Sequence, residues 1–141
     1  MIRTTSIKEL GWSQVLLKPM PPKTNDEVIG RHIDTHFLYE IHAKLTKEFG
    51  TKLKTKLFSQ NEPYSIQKNL FPYNLKPGIK HYLMWINPKY LKFYSGDNES
   101  RVFNILYQRF KGKPFVYFIN IPHFISVPEI KHYHIIVNEI L

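Results

Sequence analysis

The segment Ile79-Lys-His-Tyr-Leu-Met-Trp-Ile86 is fenced by Pro77-Gly78 before it and Asn87-Pro88 after it. Pro-Gly supplies a turn and Asn-Pro ends regular structure, so the run is held to the length of a strand and is far short of a membrane-spanning helix. A largely apolar stretch of this length between turn signals suits the central strand of a sheet. A chain organised around such a strand needs partner strands and a layer to cover them.

The end of the chain provides the clearest partner, Ser126-Val-Pro-Glu-Ile-Lys-His132-Tyr-His134-Ile-Ile-Val137, with the strand itself expected over 132–137. Successive strand side chains point to opposite faces, so His132 and His134 share one face while Tyr133 and Ile135 take the other. Two imidazoles aimed at one space can hold a metal, a phosphate or a proton; the plainer reading is two partly exposed histidines on an edge strand. Phe115 to Ile121 reads as another buried strand, and Tyr64 with Ile66 as a short one.

Two stretches carry helical spacing. From a cap at Asn25 or Asp26 to a stop at Gly50, the residues Ile29, Ile33, Phe37, Ile41, Leu45 and Phe49 recur four apart, with Leu38 alongside. After Ser95 to Asn98, the residues Val102, Phe103, Leu106 and Phe110 form an apolar face, closed by Lys111-Gly-Lys-Pro114. A shorter turn is expected around Ile7 to Leu16, anchored by Trp12 and broken by Pro19, Pro21 and Pro22. Lys52, Lys54 and Lys56 alternate with Leu53 and Leu57, as a basic strand or a helical extension. These elements imply an α+β fold: one domain over 1–141, a mainly antiparallel sheet with packed helices, and residues 1–24 as an N-terminal extension packed on it.

Composition narrows the function classes. The chain has no cysteine, which excludes disulfides and thiolate metal sites. Twenty Lys and Arg against eleven Asp and Glu give a net charge of +9, a field that attracts nucleotides, sugar phosphates and nucleic acid. The first residues lack the continuous apolar segment of a signal peptide, so the expected location is intracellular and soluble, cytoplasmic rather than nuclear, with no membrane partner. His32 and His36 lie one helical turn apart, as do His36 and Glu40, a spacing that can chelate. No cofactor is expected from these patterns; a divalent metal held by His32, His36, His132 and His134 is the open alternative. The oligomeric state is not legible.

Two blocks in order, Asn69-Leu-Phe-Pro-Tyr-Asn…Gly78-Ile-Lys-His81-Tyr-Leu-Met-Trp85 and Phe118-Ile-Asn120…Ser126-Val-Pro-Glu-Ile-Lys-His132-Tyr-His134, resemble a family of fungal and viral proteins represented by an N-acetylglucosamine-induced protein. The likeness covers roughly residues 66–137, and that family has no assigned activity. More remotely, the same blocks are similar to histidine-triad nucleotide hydrolases and transferases. That resemblance implies a half-barrel antiparallel sheet with a helix across it. It implies that His132 is the nucleophile attacking an α-phosphorus, that His134 is the last triad histidine, and that His81 is a further site histidine. It also implies that Asn120 and Ser126 orient the phosphate or the histidines and that Asn69 lies near the nucleoside. Ile130 falls where the first triad histidine belongs.

The expected function is therefore a histidine-dependent phosphoryl-transfer enzyme, a hydrolase or transferase, acting on a nucleotide or nucleotide-sugar. A neutral imidazole attacks a phosphoanhydride well when its other nitrogen is held by an acceptor. Tyr73, with Phe71 and Trp85, is either core packing or a stacking surface for a base or sugar. The alternatives are a noncatalytic module binding a phosphorylated ligand or protein partner, a nucleic-acid binder, and the metal protein already described.

Overall fold

The computed structural model describes residues 9–24, 27, 29–47, 55–120 and 130–140. Strands β1 (Tyr64–Lys68), β2 (Ile79–Ile86), β3 (Phe115–Phe118) and β4 (His132–Asn138) form one sheet. Its order is β1-β2-β4-β3, and every neighbouring pair is antiparallel. The two longest strands, of eight and seven residues, thus take the centre, and the two shorter ones take the edges. Gly78 makes the entry to β2 possible: its φ is +90°, and a Cβ there would run into Ile140. Together with the helices the sheet gives the α+β architecture.

The registers Met84↔Tyr133, Tyr82↔Ile135 and Tyr117↔Ile135 put one set of alternate residues on a common face. Helix α1 (Trp12–Leu17) and helix α2 (Ile33–Lys47) lie before the sheet in the chain; helix α3 (Ser100–Arg109) covers this face. Val102, Leu106 and Phe110 meet Tyr82, Met84, Ile86, Tyr133, Ile135 and Val137 in a single apolar cluster. Each aliphatic chain fully buried there contributes roughly 1.5–3 kcal/mol. The α3 stripe predicted from sequence is the buried one, except that Phe103 stays exposed.

The opposite face carries His81, Trp85, His132, His134, Ile136 and Phe118. The segment between β1 and β2 crosses part of it and is clipped from both sides. Leu10 pairs with Leu75 through Leu10 N–H to Asn74 O (2.9 Å) and Lys76 N–H to Leu10 O (2.9 Å), while Asn74 N–H donates to Gly30 O (3.0 Å). Val15 of α1, Ile29 and Tyr73 close over Ile79, Phe118 and Ile136, with Trp12 packed alongside. Among the described residues no helix is long and apolar enough to cross a membrane.

Helix α2 departs from the sequence expectation twice. It starts at Ile33, not near Asn25, because Ile29 is buried and Gly30 and Arg31 are tied to the crossing segment. His32 caps it: Nδ1 accepts Asp34 N–H at 3.2 Å and the His32 carbonyl accepts His36 N–H at 2.9 Å. Its apolar stripe does not face the core, since Ile33, Phe37, Leu38 and Ile41 are all exposed. The partly buried side is Thr35, His36 and Tyr39, and Tyr39 meets Phe71 edge to face with ring centroids 5.8 Å apart.

Candidate functional site

Strand pairing assembles the site. The register sets Trp85 opposite His132, Leu83 opposite His134 and His81 opposite Ile136, so His81 and His134 are diagonal neighbours on one face. Diagonal Cβ atoms stand roughly 7–8 Å apart, within reach of two imidazoles. His81 Nε2 and His134 Nδ1 are 2.9 Å apart, and both side chains are buried.

The protons in this pair can be assigned from its surroundings. Tyr73 N–H donates to His81 Nδ1 at 3.1 Å. A neutral imidazole has one acceptor nitrogen, so His81 carries its proton on Nε2 and donates it to His134 Nδ1. Burial, and next the positive charge of Arg31, hold His81 well below the ordinary histidine range, which keeps it neutral. His134 is in turn the Nε2–H tautomer. Tyr73 Oη lies 3.4 Å from His134 Nδ1 and accepts from Asn120 Nδ2 at 3.4 Å. Asn120 is buried, and its Oδ1 has no hydrogen-bond partner among the described residues.

Aromatic stacking fixes the rings. Tyr73 lies over His81 with centroids 4.1 Å apart and planes 22° apart. Phe118 stacks on His134 at 5.4 Å and 15°. Arg31 holds the crossing segment from behind. Its Nε–H donates to the Phe71 carbonyl at 2.7 Å, and its guanidinium sits 4.3 Å from the Tyr39 ring centroid and 5.5 Å from that of Tyr73.

His132 stands one step along β4, its ring centroid 5.7 Å from that of His134, and remains partly exposed. Trp85 packs against it at 4.4 Å. Its Nδ1 lies 2.9 Å from the Ile130 carbonyl. A carbonyl only accepts, so Nδ1 bears the proton and Nε2 the lone pair. Burial lowers the His132 pKa, with the Ile130 bond acting the other way, and the ring stays neutral at pH 7.

The structure therefore brings together His81, His134, Tyr73 and Asn120, with His132 beside them. Asn69 supports His81 rather than facing a ligand from a distance. Its Oδ1 accepts Phe71 N–H at 2.9 Å, and its Nδ2 lies 3.5 and 3.4 Å from the two ring nitrogens, whose in-plane positions Tyr73 and His134 already occupy. Ser126 and His123 lie outside the described residues. The imidazole quartet proposed for a metal is not assembled: His32 is the α2 cap, and His36 Nε2 pairs with Glu40 at 3.1 Å. Among the described residues no three His, Asp or Glu side chains group as a metal site.

Arg31 is the residue sequence reasoning passed over. It precedes a helix rather than belonging to a motif, and its partner Phe71 is forty residues away. The available signal was chemical: it is one of four arginines in a chain whose positive charge is mostly lysine.

Residues 23–138 match the model of a family described as Protein of unknown function (DUF3605). No curated protein matches the chain. Among solved structures, one described as Crystal Structure of HTC1 is similar, with a TM-score of 0.58 and 22% identity, over 91% of this chain and 84% of that one. At that identity the likeness is one of fold.

Proposed function

This chain belongs to the family of proteins of unknown function DUF3605, and on that premise we propose that it is a histidine-dependent phosphoryl-transfer enzyme acting on a nucleotide or nucleotide-sugar, with His132 as nucleophile. One observation carries this reading. The His132 Nδ1–H bond to the Ile130 carbonyl leaves a neutral Nε2 lone pair on a partly exposed ring. A held, neutral imidazole is what attack on phosphorus requires. The histidine-triad resemblance assigns the same role to the same residue.

In the first step the Nε2 lone pair attacks phosphorus. A P–N bond forms as the P–O bond to the leaving group breaks, and the leaving oxygen departs with the bonding electrons. Water then attacks the phosphorus, the P–N electrons return to Nε2, and the water's protons pass to product and solvent. His134, oriented by His81, stands beside His132 with its Nε2–H as the donor for a phosphoryl oxygen, and the Tyr73–Asn120 pair packs behind it.

A second reading, a noncatalytic module for a phosphorylated ligand, is favoured by Ile130. Where the triad would add an imidazole, this side chain is buried with Leu57, Phe58 and Trp85. One experiment separates the two. Nucleotides and nucleotide-sugars are incubated with the protein and followed by ³¹P NMR, in wild type and His132→Ala. The enzyme reading expects a product signal whose rate falls on the order of 10³-fold or more in the variant, with an unchanged circular dichroism spectrum. An equal rate in both proteins overturns it, and saturable binding without product supports the module.

A further inference from the structure

We propose that Arg31 is a positioning residue of the histidine site: by gripping the Phe71–Tyr73 segment it decides which nitrogens of His81 and His134 carry protons. Its effect on turnover rests on the phosphoryl-transfer reading; its effect on the protons does not. The contacts run without a gap. Arg31 Nε–H donates to the Phe71 carbonyl at 2.7 Å, and two residues on, Tyr73 N–H donates to His81 Nδ1 at 3.1 Å. His81 Nε2 then lies 2.9 Å from His134 Nδ1. Between the gripped carbonyl and the Tyr73 N–H stands Pro72, whose ring fixes φ at about −65°. One of the two soft dihedrals linking the groups is thereby locked, and a shift of the carbonyl is passed on to the N–H.

The task suits an arginine. The side chain is buried, and its planar group meets the Phe71 carbonyl at its edge while lying 4.3 Å from the Tyr39 ring centroid and 5.5 Å from that of Tyr73. A lysine ammonium is a point charge on a flexible stem and cannot fix a carbonyl and two rings in one plane-defined geometry. What depends on the grip is the sense of the histidine pair. With Tyr73 N–H aimed at Nδ1, His81 must donate from Nε2, and His134 keeps its own proton on Nε2. If that N–H is drawn aside, His81 can hold its proton on Nδ1 and accept at Nε2, and His134 then bears Nδ1–H and a bare Nε2. The donor beside His132 becomes an acceptor, which repels a phosphoryl oxygen. Behind burial, the Arg31 charge is the next factor that keeps His81 from taking a second proton, and a doubly protonated ring would turn an N–H against Tyr73 N–H.

Long-range ¹H–¹⁵N spectra of the full chain test this in wild type, Arg31→Met and Arg31→Lys, with folding followed by circular dichroism. Wild type is expected to show Nε2–H alone on His81 and His134, and an Arg31 Nε–H signal that exchanges slowly with water. Both variants are expected to lose the single tautomer at His81 and His134 while His132 stays protonated on Nδ1. Folded variants that keep the wild-type tautomers overturn the proposal. So does full restoration by Arg31→Lys, since charge rather than placement would then set the protons. Should neither variant fold, a rapidly exchanging Arg31 Nε–H in wild type overturns it as well. In the ³¹P assay, kcat of the variants is expected to fall on the order of tenfold or more with KM little changed, because Arg31 acts through His134 and not on the substrate. Mixed tautomers in the variants with no turnover in any of the proteins support the role of Arg31 and count against phosphoryl transfer.

Discussion

The two faces of the sheet bury alternate residues of the same strands against different material. Under α3, Met84, Ile86, Ile135 and Val137 meet Val102 and Leu106, and the Tyr82 and Tyr133 hydroxyls reach the rim to donate to Glu139 and Glu99. On the other face, His81 and His134 are buried with Tyr73 and Asn120, and both His81 ring nitrogens and Nδ1 of His134 have a specific donor or acceptor opposite them. Burial on the α3 face is a matter of volume, and any apolar set of the right shape would serve. On the histidine face it is a matter of matching protons to lone pairs, since an unmatched buried polar group costs about 1–3 kcal/mol. The first face specifies the fold; the second spends stability on groups that can do chemistry.

Leu106→Ala gives the largest expected effect. Leu106 is fully buried at the centre of the α3 cluster, so its truncation should lower stability by about 2–5 kcal/mol, read as a drop in the urea midpoint. The folded fraction should keep wild-type histidine tautomers in ¹H–¹⁵N spectra. A change in those tautomers would show that the faces are coupled and end the contrast between them.

His81→Ala should have a smaller effect on stability and a larger one on the site. It removes the acceptor of Tyr73 N–H and the donor to His134 Nδ1, at a cost of about 1–3 kcal/mol. In wild type, long-range ¹H–¹⁵N spectra should place the protons on Nε2 of His81 and His134 and on Nδ1 of His132. In the variant His134 should populate both tautomers, while His132 keeps its proton on Nδ1 because the Ile130 carbonyl is untouched. A His134 unchanged by the substitution would remove the relay from the comparison.

The same contrast explains what was readable in the sequence. β2 and the α3 stripe were legible because volume-driven burial leaves a period: eight residues between turn signals, and apolar positions three and four apart. The shared face of His132 and His134 followed from strand alternation alone. The His81–His134 bond did not, because it depends on a strand register that brings together residues 53 apart. Nor did the start and orientation of α2. An imidazole caps it in place of a residue from the usual set, and its body-facing side is Thr35, His36 and Tyr39, while the periodic apolar residues point outward. Periodicity locates a helix, and the side that packs is settled by its partners, here Arg31 and Phe71.

The smallest effect near neutral pH is also the one that separates the faces most cleanly. Burial lowers the pKa of both His81 and His132. The unfolded chain therefore binds more protons than the folded one once pH falls below the ordinary histidine value of about 6.5. The two groups contribute their full stability above that value and lose it as pH drops toward their folded-state pKa values. Stability measured by urea titration should be flat from pH 8 to about 7 and then decline on acidification, through histidine protonation before the carboxylates titrate. His81→Gln, which cannot take up a proton, should flatten that decline by the His81 share, whereas Leu106→Ala should lower the whole curve without changing its slope there. Parallel curves for wild type and His81→Gln would mean that the buried imidazole pair does not set the acid limb, and the polar face would then be a matter of volume like its neighbour.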